Sequence, residues 1–201
     1  MRFTSPKGKI NRALGLAVYE NRGAVKALEK RAYKPGMHGQ RRAKMSEHAL
    51  AMIEKKKVKH YYGLHERQLE RFYRLAAKSP ENTGEVLLVL CERRLDSVVR
   101  RAGFARTRPQ ARQGVCHGHF RVNGRKVDVA SYLVKPGDVV SVAPRTALQK
   151  YYRQLLTEGL HNADWLVSDP EALSFTVVRL PAAAEVSLPV DVQKVIELLS
   201  R

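Results

Sequence analysis

The chain has only two cysteines, Cys91 and Cys116, and no C-x-x-C pair. That excludes a disulfide framework and fits a reducing compartment. No apolar run approaches the ~18 residues of a membrane span. There is no internal repeat, no nucleophile elbow, no phosphate loop of the G-x-x-x-x-G-K type and no dinucleotide fingerprint. Acidic side chains are scarce: 19 Asp and Glu stand against 37 Lys and Arg, a formal net charge of +18.

What is present starts with that charge. A protein this basic repels itself, and a polyanion relieves the cost. Nucleic acid is the first partner to consider, and an anionic membrane surface the second. The charge is unevenly spread. Residues 1–80 carry 20 basic and 6 acidic side chains, residues 81–150 carry 13 and 6, and residues 151–201 carry 4 and 7. The first three quarters therefore face the polyanion. Hydrophobic residues make up 44 % of the 201 positions, enough for a core in one large domain or two small ones. The N-terminal "MRFTSPKGKINRALGLAVYENR" is as basic as a mitochondrial presequence, but Pro6, Gly8 and Gly15 should break its helix. Residues 1–45 are expected to be a basic arm with local turns, among them "KPGMHGQRR".

Ser46 can cap a helix through "SEHALAMIEKKKVKH", with Leu50, Ile53 and Lys57 at helical spacing. Lys55, Lys56, Lys57 and Lys59 crowd its end, more cations than the helix dipole accounts for. In "LHERQLERFYRLAAK", Leu69, Phe72, Tyr73 and Ala76 form one face. Arg67, Arg71, Arg74 and Lys78 form a second, partly neutralised by Glu66 and Glu70 through i,i+4 pairing. "SPENTG" punctuates the chain at 79–84. Leu95, Val98, Val99 and Ala102 then predict a helix ended by Gly103. Thr107 and Gln110 have capping-box spacing, but Pro109 disfavours helical geometry at Arg108, which makes Arg108 the expected cap. Arg108 and Arg112 share an outward face, and Gly118 should end that helix. Asn123-Gly124 between β-rich arms predicts a two-residue hairpin turn. Further strands are expected at Val139–Val142 and within 165–181. Helices are expected over 146–156 and along Val192, Val195, Ile196 and Leu199.

Cys116, His117 and His119 invite a metal or thiol-imidazole reading. A structural zinc site needs four ligands, and His38, His48, His60, His65 and His161 are scattered. A nucleophilic pair needs an orienting third group and a concave site. The remaining reading is positional: imidazoles at the pivot between a helix and a hairpin can donate to phosphates or stack on bases.

The segment "ERRLDSVVRRAGFARTRPQARQGVCHGHFRVNGRKVDVASYLVKPGDVV", 92–140, resembles the RNA-binding module of the bacterial small-subunit ribosomal protein four family. "KPGMHGQRR", "SEHALAMIEKKKVKHYYGLHERQ" and "NTG" resemble that family's N-terminal domain. The resemblance implies an α+β fold. A helical N-terminal domain would join a mixed α/β RNA-binding domain of two helices plus a β-hairpin with an antiparallel sheet, and the C-terminal helix would pack back on the N-terminal domain. The expected divisions are a basic arm at 1–45, a helical domain at 46–90, an α/β domain at 91–187 with the module at about 92–155, and a C-terminal helix at 188–201. The implied function is primary rRNA binding that nucleates assembly of the subunit body in the cytoplasmic ribosome, with no enzyme activity. Contributions to mRNA entry and translational accuracy are also implied. Implied partners are small-subunit rRNA, mRNA near the entry channel and neighbouring proteins, especially protein five, with no membrane and no small-molecule substrate. Some family members hold zinc or an iron-sulfur cluster on four N-terminal cysteines. This chain resembles a cysteine-free N-terminal form, so no metal or cofactor is expected. Family members often carry a second Arg after R-x-P, and an aromatic residue near the end. Here those regions read "RLPAAAEV" and "ELLSR".

The expected RNA contacts in the N-terminal part are Arg41, Arg42, Lys44, Lys55, Lys56, Lys57, Lys59, Arg67, Arg71 and Arg74. In the module they are Arg106, Arg108, Arg112, His117, His119, Arg121 and Lys126. Two rival classes share the module: an RNA-modifying or tRNA-charging enzyme, and a stress factor for stalled large subunits. The first would append a catalytic domain, and the ~90 residues before the module offer no suitable carboxylate constellation. The second would not need residues 30–90.

Overall fold

A computed structural model describes residues 5–41, 44–157, 163–186 and 188–200. The chain divides into two compact units. One comprises Met1–Leu87 with Ser187–Arg201, and the other Leu88–Val186.

The first unit is helical. Its elements are α1 (Lys7–Leu14), α2 (Arg22–Lys30), α3 (Glu47–Tyr62), α4 (Glu66–Ala76), the start of α5 (Thr83–Glu92) and the C-terminal α9 (Val192–Ser200). The expected arm of turns is in part a helix pair. Pro6 and Gly15 do not break α1; they bound it, Pro6 as N-cap and Gly15 as a left-handed C-cap at φ 65°. Gly8 lies inside α1 against α2, where an added Cβ would come within 3.0 Å of Ala27 Cβ. Asn11 is buried and clamps the Tyr19 backbone in both directions, donating to its carbonyl at 3.0 Å and accepting from its N–H at 3.0 Å.

Ser46 caps α3 as expected, accepting from Ala49 N–H at 3.3 Å. The inward residues of α3 are Ala51, Val58, Tyr61 and Tyr62, while Leu50 and Ile53 are half-buried. The buried stripe thus sits on a neighbouring face and ends in the two tyrosines. On α4, Leu69, Phe72 and Ala76 are buried as the spacing predicts. Helix α9 packs on α3 and α4. The Asp191 N–H donates to Glu54 Oε2 at 3.2 Å, and a Cβ added to Gly84 would meet Val192 Cγ1 at 2.8 Å. The C-terminal helix therefore returns to the N-terminal helices.

The second unit is α+β. It holds the end of α5, α6 (Leu95–Arg101), α7 (Arg108–Cys116), β1 (Phe120–Val122), β2 (Arg125–Lys126), β3 (Val139–Val142), α8 (Thr146–Thr157), β4 (Leu166–Asp169) and β5 (Ser174–Val177). The strands form an antiparallel sheet in the order β2-β1-β3-β5-β4. Asn123 (φ 49°) and Gly124 (φ 78°) make the hairpin turn, both left-handed as a two-residue turn demands. The second arm of the hairpin is shorter than the alternation implied: the strand ends at Lys126, one further bond runs from Val127 N–H to the Phe120 carbonyl at 3.4 Å, and Val129 is exposed. Phe120, Val122, Val140, Val142, Phe175 and Val177 point from the sheet into a core shared with Leu95, Val98, Val99, Phe104, Val115 and Trp165. Thr107 is the N-cap of α7, accepting from Gln110 N–H at 3.4 Å. Arg108 is already helical there, so the expectation of an Arg108 cap is corrected. The Gln110 side chain reaches back to Arg106 N–H at 2.9 Å, and this bond fixes the entry to the helix.

Candidate nucleic-acid interface

In the first unit the expected cations separate into paired and unpaired sets. Lys55 and Lys59 both close on Glu66, and Lys57 Nζ sits 2.6 Å from Glu54 Oε1. Burial pushes the Glu66 carboxyl up, but hydrogen bonds from the two lysines outweigh it and hold the carboxyl below its ordinary value. Lys56 is exposed and has no acidic partner among the described residues.

Because Glu66 turns to α3, it does not neutralise the cationic stripe on α4. Arg67, Arg71 and Arg74 are exposed at i, i+4 and i+7, with no acidic partner among the described residues. Arg41 and Lys44 are exposed in the connection between α2 and α3, and Arg42 lies outside the described residues. Arg12 went unnoticed in the sequence. Its guanidinium donates to the carbonyls of Arg31, Tyr33 and Lys34 at 3.1 to 3.4 Å and lies 4.9 Å from the Tyr33 ring centre. It braces the loop that leads to Arg41.

In the second unit the expectation of an outward Arg108–Arg112 face is corrected. Arg108 is only 11 % exposed in its side chain, and its Nη2 lies 3.3 Å from Glu92 Oε1. Arg101 grips the same carboxylate at 3.1 and 2.9 Å. Beside it, Asp96 receives Arg94 at 3.0 and 2.6 Å and the Ser97 N–H at 3.0 Å, with Arg112 Nη1 at 3.7 Å. Glu92, Arg94 and Asp96 are buried. Glu92 and Asp96 thus hold four guanidiniums, two of them from α7 itself. Helical periodicity did not place these acids, because Glu92 ends an apolar run and Asp96 stands in the first turn of α6, positions where a solvated carboxylate is equally natural. Arg112 keeps 29 % of its side chain exposed and faces solvent at one edge of this lattice.

Arg106, His117 and Lys126 are exposed, and Arg121 is half-buried on β1 opposite Lys126. His119 is turned toward α8, with Nδ1 3.0 Å from the Tyr152 hydroxyl. Burial, then His117 and Arg145, hold its imidazole below its ordinary value. Gly118 takes φ 69°, which lets the chain pivot from α7 into β1. The Lys126 stem lies over it. Cys116 is exposed at the end of α7, whereas Cys91 is buried and burial pushes its thiol up. Among the described residues no group of three or more His, Cys, Asp or Glu is placed to hold a metal. No described helix is long and apolar enough to cross a membrane.

A helix pair and hairpin with exposed cations, together with a helical unit that has its own arginine stripe, defines a basic RNA-binding architecture rather than a catalytic one. The comparisons place it more narrowly. Residues 2–92 match the ribosomal protein S4/S9 N-terminal domain family, and residues 93–140 match the S4 domain family. The small ribosomal subunit protein uS4 of Rhodopirellula baltica is 50 % identical over 201 residues, covering 100 % of this chain and 99 % of that protein. Those of Persephonella marina and Thermoanaerobacter sp. are 43 % and 42 % identical, over 99 % and 100 % of this chain and 98 % and 99 % of theirs. The chain belongs to the ribosomal protein S4 family. It is not, however, a cysteine-free member: Cys91 and Cys116 are present, although residues 1–90 hold none.

Proposed function

We propose that the chain is a structural constituent of the small ribosomal subunit in the cytoplasm, bound directly to its rRNA, and not an enzyme. The full-length similarity to small-subunit proteins carries the reading. The exposed stripe Arg67, Arg71 and Arg74 and the exposed Arg106, His117 and Lys126 support it, because recognition of folded RNA by shape and backbone needs such fixed cations.

Within that role the site divides by chemistry. Arg41, Lys44, Lys56 and the α4 arginines bind phosphates. Lys55, Lys57 and Lys59 add a weaker, partly neutralised field. In the module, Arg106, Arg112, His117, Arg121 and Lys126 form the contact surface, while Arg108 and His119 support it from behind. The two units, Met1–Leu87 with Ser187–Arg201 and Leu88–Val186, serve as two RNA-binding bodies. The resemblance adds a role in nucleating the subunit body, contact with mRNA near its entry, and a boundary with protein five that bears on accuracy.

The test is binding to isolated small-subunit rRNA across a salt series. Each neutralised phosphate releases counterions, so six or more contacts should cost roughly a thousandfold in affinity between about 50 and 200 mM salt. A slope corresponding to one or two contacts would sink the reading. So would absence of the protein from purified small subunits.

A further inference from the structure

Helix α8 carries an aromatic residue that the phosphate-binding reading does not use. Tyr151 is 43 % exposed on the basic second unit. It is held in place: Gln110 Nε2 donates to its hydroxyl at 2.8 Å, and the same Gln110 side chain accepts from Arg106 N–H through Oε1. The ring therefore has a fixed orientation before any ligand arrives. It also terminates a ladder of rings. Tyr151 meets Tyr152 edge-on at 5.1 Å, Tyr152 meets His119 at 6.0 Å, and His119 meets His117 at 5.8 Å. Tyr152 in the middle is buried and His119 half-buried, while the terminal rings, Tyr151 and His117, are exposed. Gly114 makes the ladder possible, since an added Cβ would stand 2.8 Å from the Tyr152 hydroxyl and 3.5 Å from His119 Nδ1. Exposed cations bracket Tyr151 along the chain, with Arg145 and Lys150 before it and Arg153 after it.

A large aromatic surface left in water is unfavourable, and here it is kept rigid rather than folded away. On a cationic surface the complementary partner is a π-face attached to an anion, which describes an unpaired nucleotide. We infer that Tyr151, positioned by Gln110, is a stacking platform for an unpaired base of the bound rRNA, with His117 at the other end of the ladder available to a neighbouring nucleotide. The inference rests on the rRNA-binding reading and adds a base contact to a site otherwise built for phosphates. Gln110 is a positioning residue: it orients the ring and leaves the stacking face open.

The experiment uses the full chain and isolated small-subunit rRNA, with Tyr151→Ala, Tyr151→Phe and the unchanged chain compared across a salt series. Stacking on one base is worth a loss of about tenfold or more on truncation to alanine. Tyr151→Ala should show that loss with an unaltered salt slope and an unaltered melting temperature. Tyr151→Phe should keep affinity within about threefold, because the ring remains. Chemical probing should find one unpaired base protected by the unchanged chain and by Tyr151→Phe but reactive with Tyr151→Ala. Failure of the unchanged chain to bind rRNA would overturn the reading beneath the inference and the inference with it. Equal binding by the unchanged chain and Tyr151→Ala would overturn the platform alone. Equal losses in the alanine and phenylalanine variants would also overturn it, since the phenylalanine ring, which lacks only the orienting bond from Gln110, would then add nothing over alanine. Protection of the base that appears only when other ribosomal proteins are added would assign Tyr151 to a protein contact instead.

Discussion

Glu92 is the residue on which the module depends most directly. Its buried carboxylate serves Arg101 and Arg108 together, so removing its charge takes an ion pair from two mostly buried guanidiniums at once. Glu92→Gln should destabilise the protein by about 3 kcal/mol, read by urea unfolding, because breaking a buried pair leaves uncompensated charge. Arg108→Ala should likewise lower stability more than it changes the salt slope of RNA binding; the reverse result would return Arg108 to the contact surface. Two histidines give a pH signature. Burial, then Lys59 and Lys56, lower the His60 value, and burial lowers that of His119. A histidine depressed in the folded state binds its proton more readily when unfolded. Its contribution is therefore present above the ordinary value of 6.5 and is lost as pH falls through the folded value. Melting temperature should fall between about pH 7.5 and 5.5, and His60→Gln with His119→Asn should flatten that dependence. An unchanged slope in the double variant would remove both from the account.

Among the elements, α4 is the cleanest RNA-facing unit. Its apolar face is buried through Leu69, Phe72 and Ala76, and its arginines stand opposite with no acidic partner among the described residues. Arg67→Gln, Arg71→Gln and Arg74→Gln together should lower the salt slope by about two while leaving the helix content unchanged. An unchanged slope would show that the stripe does not touch phosphate. Both faces were legible in the sequence, because a periodicity of 3.6 states which residues share a side. The partner chosen by Glu66 was not legible: four residues on from it stands Glu70 rather than an arginine, so the i,i+4 rule offers it no cation, and the tertiary structure gave it Lys55 and Lys59 of α3. The hairpin was legible for the opposite reason. Asn-Gly demands left-handed geometry at two consecutive positions, a local property that no tertiary contact has to supply.

For the molecule as a whole, the charge distribution announced a polyanion, and the resemblance to a ribosomal family was present in local motifs. The division into Met1–Leu87 with Ser187–Arg201 and Leu88–Val186 depends on α9 packing against α3 and α4. The apolar stripe of α9 was visible, but an amphipathic helix says only that it needs a partner. At the N-terminus, Pro6 and Gly15 read as breakers when they are boundaries, since a residue that cannot sit inside a helix is well suited to its ends.

The sequence by itself determined the partner class, the α+β composition, the hairpin and the cationic stripe of α4, all properties of composition, local turns or a single period. Only the tertiary structure decided which other cations are spent on carboxylates: Lys55, Lys59 and Arg108 are paired across elements, while Lys56, Arg67, Arg71 and Arg74 stand exposed. The physical reason is range. An ion pair between α3 and α4, or between Glu92 and α7, is set by how helices pack, and charge alone carries no record of that.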